Sequence, residues 1–204
     1  MSKIKICGLS RAEDIMAVNR ALPDYIGFVF AESRRKVDAD TAAMLKEKLD
    51  KRIKAVGVFV NEAIESAGDL FRRGIIDLIQ LHGDEDNEYI RRLKEKYGCP
   101  VIKAVGIRDK LPVLPAEADY ALFDKLSAER GGTGETFDWA ILKGIGTPYF
   151  LAGGLSADNI AAAVRLLRPF CIDVSSGAET RGVKDAGKIS EIVRLVRGLR
   201  SPPR

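Results

Sequence analysis

Short apolar runs alternate along the whole chain with longer stretches in which apolar and polar residues follow a helical period. The short runs predict buried strands, and the longer stretches predict amphipathic helices. The predicted strands are Lys3–Cys7, Tyr25–Phe30, Ala55–Val60, Ile76–Leu81, Val101–Val105, Tyr120–Phe123, Tyr149–Leu151 and Cys171–Val174. The predicted helices are Ala12–Leu22, Ala39–Leu49, Ala63–Arg73, Asn87–Tyr97, Trp139–Leu142, Ala157–Leu167 and Ala186–Leu199.

A strand followed by a helical segment, repeated eight times, predicts parallel strands joined by crossover connections. We therefore predict an α/β fold, a TIM (β/α)₈ barrel, with residues 1–204 as a single domain. A doubly wound open sheet is the alternative fold. The length of 204 residues lies near the lower limit of about 200 for this barrel. Between Ile107 and Ala118, Pro112 and Pro115 predict a short or irregular helix.

Capping residues mark several of the predicted helix ends. Ser10, with Glu13 three residues later, has the spacing of a capping box at the first helix. Ser156 is the predicted cap of the helix after the seventh strand. Gly74 and Gly98 stand where the third and fourth helices should end.

The composition is that of a globular protein, with 46% hydrophobic and 30% charged residues. No apolar run reaches the roughly 18 residues of a membrane span. The first six residues alternate in polarity and lack the apolar core of a signal peptide, so the cytoplasm is the expected location, without membrane contact.

Cysteine and histidine are too few for a disulfide framework or a zinc site. The three cysteines, Cys7, Cys99 and Cys171, are far apart, and His82 is the single histidine. We therefore expect no zinc site. The net charge of +4 suits an anionic small molecule. The sequence has no basic stripe with interleaved aromatic residues, so we do not expect nucleic-acid binding.

Candidate chemistry lies at the carboxyl ends of the predicted strands, where barrels of this kind place their active sites. Cys7 ends the first strand and is followed at once by Gly8, which places the thiol at the rim. Asp124 directly follows the sixth strand. A thiolate is a competent base and a protonated carboxyl group a competent acid, so these two residues predict an acid–base pair. By residue type alone, we would expect Cys7 to be a small residue of the core.

Glycine-containing turns follow strands seven and eight. Gly153-Gly154 follows the seventh strand and Ser175-Ser176-Gly177 follows the eighth. Their backbone N–H groups can approach a phosphate closely, and barrels often bind phosphate at this place. Together these turns predict a site for a phosphorylated small molecule.

The alternation of the first strand has a consequence for Lys5. If Cys7 points into the barrel, then Lys5 and Lys3 do so as well. A lysine in a barrel interior needs a partner, and we hypothesise that Lys5 meets a carboxylate there, with Asp173 as the candidate.

The ordered motifs resemble the phosphoribosylanthranilate isomerase family over almost the whole chain. They are Lys5-Ile6-Cys7-Gly8, Gly27-Phe28-Val29-Phe30 with Ser33 and Arg35, Gly57-Val58-Phe59-Val60-Asn61, Gln80-Leu81-His82-Gly83, Ile102-Lys103-Ala104-Val105, Asp124 with the segment from Gly131 to Trp139, Leu151-Ala152-Gly153-Gly154-Leu155, and Asp173-Val174-Ser175-Ser176-Gly177. Each motif alone is weak, but the ordered set is specific.

The resemblance implies an Amadori rearrangement of N-(5′-phosphoribosyl)anthranilate to 1-(2-carboxyphenylamino)-1-deoxyribulose 5-phosphate in tryptophan biosynthesis. It implies Asp124 as general acid, Cys7 as general base and Arg35 as ligand of the anthranilate carboxylate. It also implies that the reaction needs no cofactor and no metal, since the imine formed on ring opening is itself the electron sink. His82 would line the pocket. The family usually has Ser-Pro-Arg where this chain has Ser33-Arg34-Arg35, so Arg34 is an alternative to Arg35.

Several alternatives remain open at this point. A related phosphosugar barrel usually relies on paired carboxylates or metal-bound histidines, which Cys7 and Arg35 do not fit. A second activity on the aminoaldose of the histidine pathway stays possible. A binding barrel without turnover would need neither Cys7 nor Asp124. The oligomeric state, monomer or homodimer, is also open.

Overall fold

Eight parallel strands close into a barrel in the computed structural model, which describes residues 2–108, 110, 113–125 and 138–199. Each strand pairs with the next one along the chain, and the eighth pairs with the first. The predicted barrel is therefore confirmed, and the open sheet is excluded because the ring has no edge strand.

The eight barrel strands are β1 Lys3–Cys7, β2 Tyr25–Val29, β3 Lys54–Phe59, β4 Leu78–Leu81, β5 Val101–Ile107, β6 Tyr120–Lys125, β7 Tyr149–Leu151 and β8 Cys171–Val174. The helices are α1 Ala12–Ala21, α2 Ala39–Glu47, α3 Ile64–Arg72, α4 Asn87–Tyr97, α5 Ile160–Leu167 and α6 Ala186–Gly198, with 3₁₀ turns at Trp139–Leu142 and Ser176–Ala178. A small antiparallel hairpin, β9 Glu179–Thr180 and β10 Val183–Lys184, follows β8.

Two apolar layers hold this arrangement together. The larger layer packs the outward faces of the strands against the helices, with residues such as Ile4, Ile6 and Ile26 fully buried. The smaller layer fills the barrel interior near the amino ends of the strands, where Phe150 packs against Tyr25 and Tyr120. Because this interior layer fills the lower half of the barrel, the space for a cavity lies toward the carboxyl ends.

Lys5 lies in the middle of the barrel and is fully buried. Its Nζ is 2.8 Å from Oδ2 of Asp173, which is its register partner on β8. The hypothesis of a Lys5–Asp173 ion pair is thus confirmed. Burial alone would lower the pKa of Lys5, but Asp173 and Cys7 outweigh it and raise the pKa, so the side chain is an ammonium ion.

The start of α1 differs from the predicted capping box. Arg11, not Ser10, is the N-cap residue, and Asp14, not Glu13, takes the third helical position. Oδ2 of Asp14 accepts the backbone N–H groups of both Ser10 and Arg11, at 3.0 and 3.1 Å. The carboxylate one residue further along therefore satisfies the free N–H groups, so the helix begins one residue later.

The start of α5 also differs from the prediction. The helix begins at Ile160, and Ser156 caps the turn that precedes it rather than the helix itself. The Oδ1 of Asn159 accepts the N–H of Ser156 at 3.0 Å, which holds this turn. By contrast, Gly98 is the left-handed C-cap of α4, and Gly74 directly follows the C-cap of α3, as predicted.

The connection from β5 to β6 contains no helix among its described residues, whereas the prolines predict a short or irregular one there. Pro112 lies outside the described residues, whereas Pro115 lies in an irregular segment. Within the described part of the chain, no helix is long and apolar enough to cross a membrane.

We predict that Lys5→Met destabilises the fold strongly. Removing the ammonium leaves Asp173 buried without its countercharge, and Oδ1 of Asp173 already lacks a hydrogen-bond partner. Breaking such a pair costs about 3–5 kcal/mol in the free energy of unfolding. Urea denaturation should show this loss, with Lys54→Met at the exposed start of β3 as control. A loss of no more than about 1 kcal/mol, the scale of an exposed pair, would contradict the importance of the ion pair.

Candidate active site

A cavity of about 470 Å³ opens at the carboxyl ends of the barrel strands. Side chains or backbone from β1, β2, β3, β4, β6, β7 and β8 and their loops line it. Of the residues predicted from the sequence, Cys7, Arg35, His82, Asp124, Gly153, Gly154, Ser175 and Ser176 line the cavity. Gly177 does not line it, although the residue directly follows Ser176.

Two glycines make room for the thiol and for the arginine beside it. A Cβ atom placed on Gly27 of β2 would lie 2.6 Å from Sγ of Cys7. A Cβ atom on Gly8 would lie 2.4 Å from Cδ of Arg35, and Gly8 has a φ of +85°, which favours glycine. The sequence therefore needs glycine at both positions to bring Cys7 and Arg35 to the same side of the cavity.

Opposing effects act on the Cys7 thiol. Burial raises its pKa, and the nearby Asp173 carboxylate raises it further. Lys5 lowers the pKa by its charge and as a donor, and Lys184 lowers it by its charge. The sum is a raised pKa, so the resting side chain is a thiol at neutral pH. The two lysines are nevertheless placed to stabilise a thiolate whenever one forms.

Asp124 faces the cavity from the end of β6. Its Oδ1 accepts the backbone N–H of Lys125 at 2.8 Å, and its Oδ2 lies 3.5 Å from Nε2 of His82. Gly153, with a φ of +87°, leaves space for the carboxylate, because a Cβ atom there would lie 3.0 Å from Oδ1. The aspartate is therefore held by its own loop on one side and faces an imidazole on the other.

His82 is connected to the barrel centre through Gln80, which precedes it by two residues on β4. Nε2 of Gln80 lies 3.0 Å from Nδ1 of His82, and Oε1 of Gln80 accepts a hydrogen bond from Lys5 Nζ at 2.9 Å. Sequence reasoning did not select Gln80 as a functional residue. The sequence feature that could have identified Gln80 is the alternation of β4, which places Gln80 and His82 on the same inward face.

Glu179 binds both of the arginines that sequence reasoning left as alternatives. Arg35 donates to it from Nε and Nη2, at 2.6 and 3.0 Å, and Arg34 donates from Nη2 at 2.8 Å. Lys184 adds a fourth donor at 2.6 Å. Burial would raise the pKa of Glu179, but Arg35 and Lys184 outweigh it and lower that pKa, so Glu179 is ionised.

The two arginines differ in exposure. The side chain of Arg35 is 14% exposed and lines the cavity, whereas that of Arg34 is 57% exposed and does not line it. Sequence reasoning missed Glu179, which stands only two residues after Gly177. No short motif singles it out, because its four donors come from the loop after β2 and from β10.

The loops after β7 and β8 meet at the other side of the cavity. Gly153 and Gly154 have positive φ values of 87° and 62°, which open their backbone toward the cavity. A Cβ atom on Gly177 would lie 2.0 Å from the carbonyl oxygen of Leu155, so only glycine allows these loops to touch. Such glycine-rich loops can present backbone N–H groups to a phosphate. The predicted Gly131–Gly134 segment lies outside the described residues.

Comparison with known proteins gives one consistent family. A family model described as N-(5′-phosphoribosyl)anthranilate (PRA) isomerase matches residues 4–195. The N-(5′-phosphoribosyl)anthranilate isomerase of Endomicrobium trichonymphae is 54% identical over 200 residues, covering 98% of this chain and 100% of that protein.

Two solved structures agree with this match. One, of monomers of the dimeric phosphoribosylanthranilate isomerase from Thermotoga maritima, has a TM-score of 0.81 at 30% identity, covering 98% of this chain and 100% of that one. Another is of a phosphoribosylanthranilate isomerase in complex with reduced 1-(o-carboxyphenylamino)-1-deoxyribulose 5-phosphate. It has a TM-score of 0.82 at 31% identity, with the same coverage.

We predict that iodoacetamide modifies Cys7 slowly at neutral pH. Because only the thiolate reacts and the pKa of Cys7 is raised, the rate should increase with pH beyond the ordinary thiol value of about 8.5. Mass spectrometry of digested protein would follow the modification of Cys7 separately from the buried Cys99 and Cys171. Modification of Cys7 at pH 7 as fast as a free thiol would contradict the raised pKa.

Proposed function

We start from the fact that the chain belongs to the N-(5′-phosphoribosyl)anthranilate isomerase family, and we propose that Cys7 and Asp124 carry its chemistry. The reaction is the Amadori rearrangement of N-(5′-phosphoribosyl)anthranilate to 1-(2-carboxyphenylamino)-1-deoxyribulose 5-phosphate, a step of tryptophan biosynthesis. Substrate and product are isomers, so no group enters or leaves, and proton transfers by an acid and a base suffice to drive the opening of the ring and the shift of the double bond.

The observation that carries the proposal is the placement of the two groups. Cys7 ends β1 and Asp124 lies in β6, three strands away around the ring, and both line the same cavity. A sugar phosphate between them would meet a sulfur on one side and a carboxyl group on the other. This separation allows one group to donate a proton and the other to accept one without neutralising each other.

Asp124 is the proposed general acid. It protonates the oxygen of the furanose ring, the bond from that oxygen to C1′ breaks, and an iminium forms between C1′ and the anthranilate nitrogen. After giving up this proton, Asp124 is a carboxylate. The imine is itself the electron sink for the next step.

Cys7 is the proposed general base. As the thiolate it removes the proton from C2′, and the electrons of that C–H bond form a double bond to C1′ and neutralise the iminium. The enolamine then tautomerises to the ketone at C2′, with a proton added at C1′. Lys5 and Lys184 favour the thiolate that this step requires.

Arg35 is the proposed ligand of the anthranilate carboxylate. A guanidinium group suits a planar carboxylate, and Arg35 lines the cavity while Arg34 does not. Glu179 accepts the Nε–H and one N–H of Nη2 of Arg35, so the second N–H of Nη2 and both N–H groups of Nη1 remain for a ligand among the described contacts. Arg34 shares Glu179 and would assist from outside the cavity.

The 5′-phosphate is proposed to bind at the loops after β7 and β8. Gly153, Gly154, Ser175 and Ser176 line that side of the cavity, and Gly177 allows the two loops to approach each other. The similar protein that was crystallised with a 5-phosphate compound supports a phosphorylated ligand for this chain. His82 lines the cavity from the end of β4, on the side of Asp124 that faces away from the phosphate loops.

The remaining proposals concern the setting of the enzyme. We propose the cytoplasm as its location, because all three cysteines are free, as expected in a reducing compartment. We also propose that residues 1–204 act as one barrel domain. Because the site is built from a single chain, the protein can act as a monomer or as a homodimer. A dimeric relative is known, and sedimentation velocity would distinguish the two states for this protein.

We predict that Cys7→Ser and Asp124→Asn each lower kcat by about 10²–10⁴-fold, the contribution expected of a positioned acid or base. Affinity for the reduced product analogue should change little, because neither residue belongs to the phosphate loops. Single-turnover assays with calorimetric binding of the analogue would measure both quantities. If either variant kept nearly full kcat, the role of that residue would be wrong, and if the wild type bound the analogue without turning over substrate, the chain would be a binding protein.

A further inference from the structure

We propose that Gln80 is a positioning residue that fixes the tautomer of His82, so that an N–H group of the imidazole faces Asp124. The proposal rests on the role of Asp124 as acid that is proposed above. It assigns a function to a buried amide and to Lys5 at the centre of the barrel. Five side chains form the relay, in the order Asp173, Lys5, Gln80, His82 and Asp124.

The first step fixes the orientation of the Gln80 amide. Lys5 is paired with Asp173 at 2.8 Å and is fully buried, so it is an ammonium group that can only donate hydrogen bonds. The Gln80 atom 2.9 Å from Lys5 Nζ must therefore be the carbonyl oxygen. The opposite orientation would place the NH₂ group against the ammonium, with two donors facing each other.

The second step fixes the protonation of His82. With its oxygen bound to Lys5, Gln80 presents its NH₂ group to Nδ1 of His82 at 3.0 Å. This NH₂ group can only donate, so Nδ1 must accept and carries no proton. In the neutral imidazole the proton is then on Nε2. A doubly protonated ring would place an N–H group against the amide donor and lose this bond.

The third step connects the tautomer to the acid. Nε2 of His82 lies 3.5 Å from Oδ2 of Asp124, and both side chains are mostly buried. The distance exceeds that of a usual hydrogen bond, but catalytic hydrogen bonds are often long without substrate and shorten when it binds. The Nε2–H tautomer thus aims a donor at Asp124, whereas the other tautomer would aim a lone pair at it.

The consequence concerns the moment at which Asp124 gives up its proton. The aspartate becomes a carboxylate, and a hydrogen bond to a charged acceptor is stronger than one to a neutral acceptor. A donor already in place therefore stabilises the product of proton transfer more than the starting state. Gln80 does not touch the reacting atoms, so it acts through His82.

The test uses ¹⁵N-histidine labelling, because His82 is the single histidine of the protein, so both ring signals belong to it. The couplings of each ring nitrogen to the carbon-bound ring protons distinguish Nδ1 from Nε2. In the wild type at neutral pH, we expect Nε2 to be protonated and Nδ1 to be unprotonated. Detection of the Nδ1–H tautomer or of the doubly protonated ring would overturn the proposal without any variant.

The decisive variant is Gln80→Glu, which has nearly the same shape. Lys5 keeps the new carboxylate ionised, so the side chain can only accept, and we expect the proton of His82 to move to Nδ1. With the donor to Asp124 lost, kcat should fall about ten- to a hundredfold while KM changes little. Retention of the proton on Nε2, in the single tautomer or in a doubly protonated ring, or a changed tautomer with unchanged kcat, would overturn the proposal.

Two further variants make this result specific. Asn87→Asp, at the exposed start of α4, makes the same amide-to-carboxylate change outside the cavity and should leave both tautomer and kcat as in the wild type. A change of tautomer there would show that added charge alone explains the effect. If Gln80→Glu did not fold, Gln80→Met would remove the donor at similar volume and should yield a mixture of tautomers; a pure Nε2–H tautomer would overturn the proposal.

Asp124→Asn separates this proposal from the proposed function. If that variant kept nearly full kcat, Asp124 would not be the acid and the proposed function would fail. The ring spectra of the wild type and of Gln80→Glu would still decide whether Gln80 sets the tautomer.

Discussion

A buried ammonium group is the constraint around which the interior of this barrel is organised. Lys5 is fully buried midway along β1, next to the smaller apolar layer that fills the barrel interior near the amino ends of the strands. An unpaired charge at this depth would cost several kcal/mol, so the strands around it must supply acceptors. Asp173 supplies the countercharge and Gln80 a carbonyl oxygen. The positive charge of Lys5 also lowers the pKa of Cys7, against the effect of burial.

The same constraint divides the cavity into chemically distinct sides. On the side of β1, Lys5 and Lys184 favour a thiolate at Cys7. On the side of β6, Asp124 faces His82. Glu179 partly offsets the positive charges of Arg34, Arg35 and Lys184. The electrostatic repulsion among these three side chains is therefore reduced. The chemistry thus follows from which strand supplies which partner.

Much of this arrangement could be predicted from the sequence, because strand alternation and strand ends are local properties. They place Cys7 and Asp124 at the rim and pair Lys5 with Asp173. The role of Gln80 could not be predicted, because it depends on the orientation of the amide, which is fixed by the contacts of Gln80 with Lys5 and His82 in the folded barrel. The cap of α1 was assigned one residue too early, since Glu13 and Asp14 both offer a carboxylate and only packing selects between them.

The most direct test of the account is a crystal structure of this protein with reduced 1-(o-carboxyphenylamino)-1-deoxyribulose 5-phosphate. The account predicts the phosphate at the loops of Gly153-Gly154 and Ser175–Gly177, with Sγ of Cys7 facing C2′ of the ligand. Asp124 should lie within hydrogen-bonding distance of the hydroxyl oxygen that was the ring oxygen. A ligand bound with Cys7 remote from C2′, or with Asp124 remote from that oxygen, would contradict the assignment of base and acid.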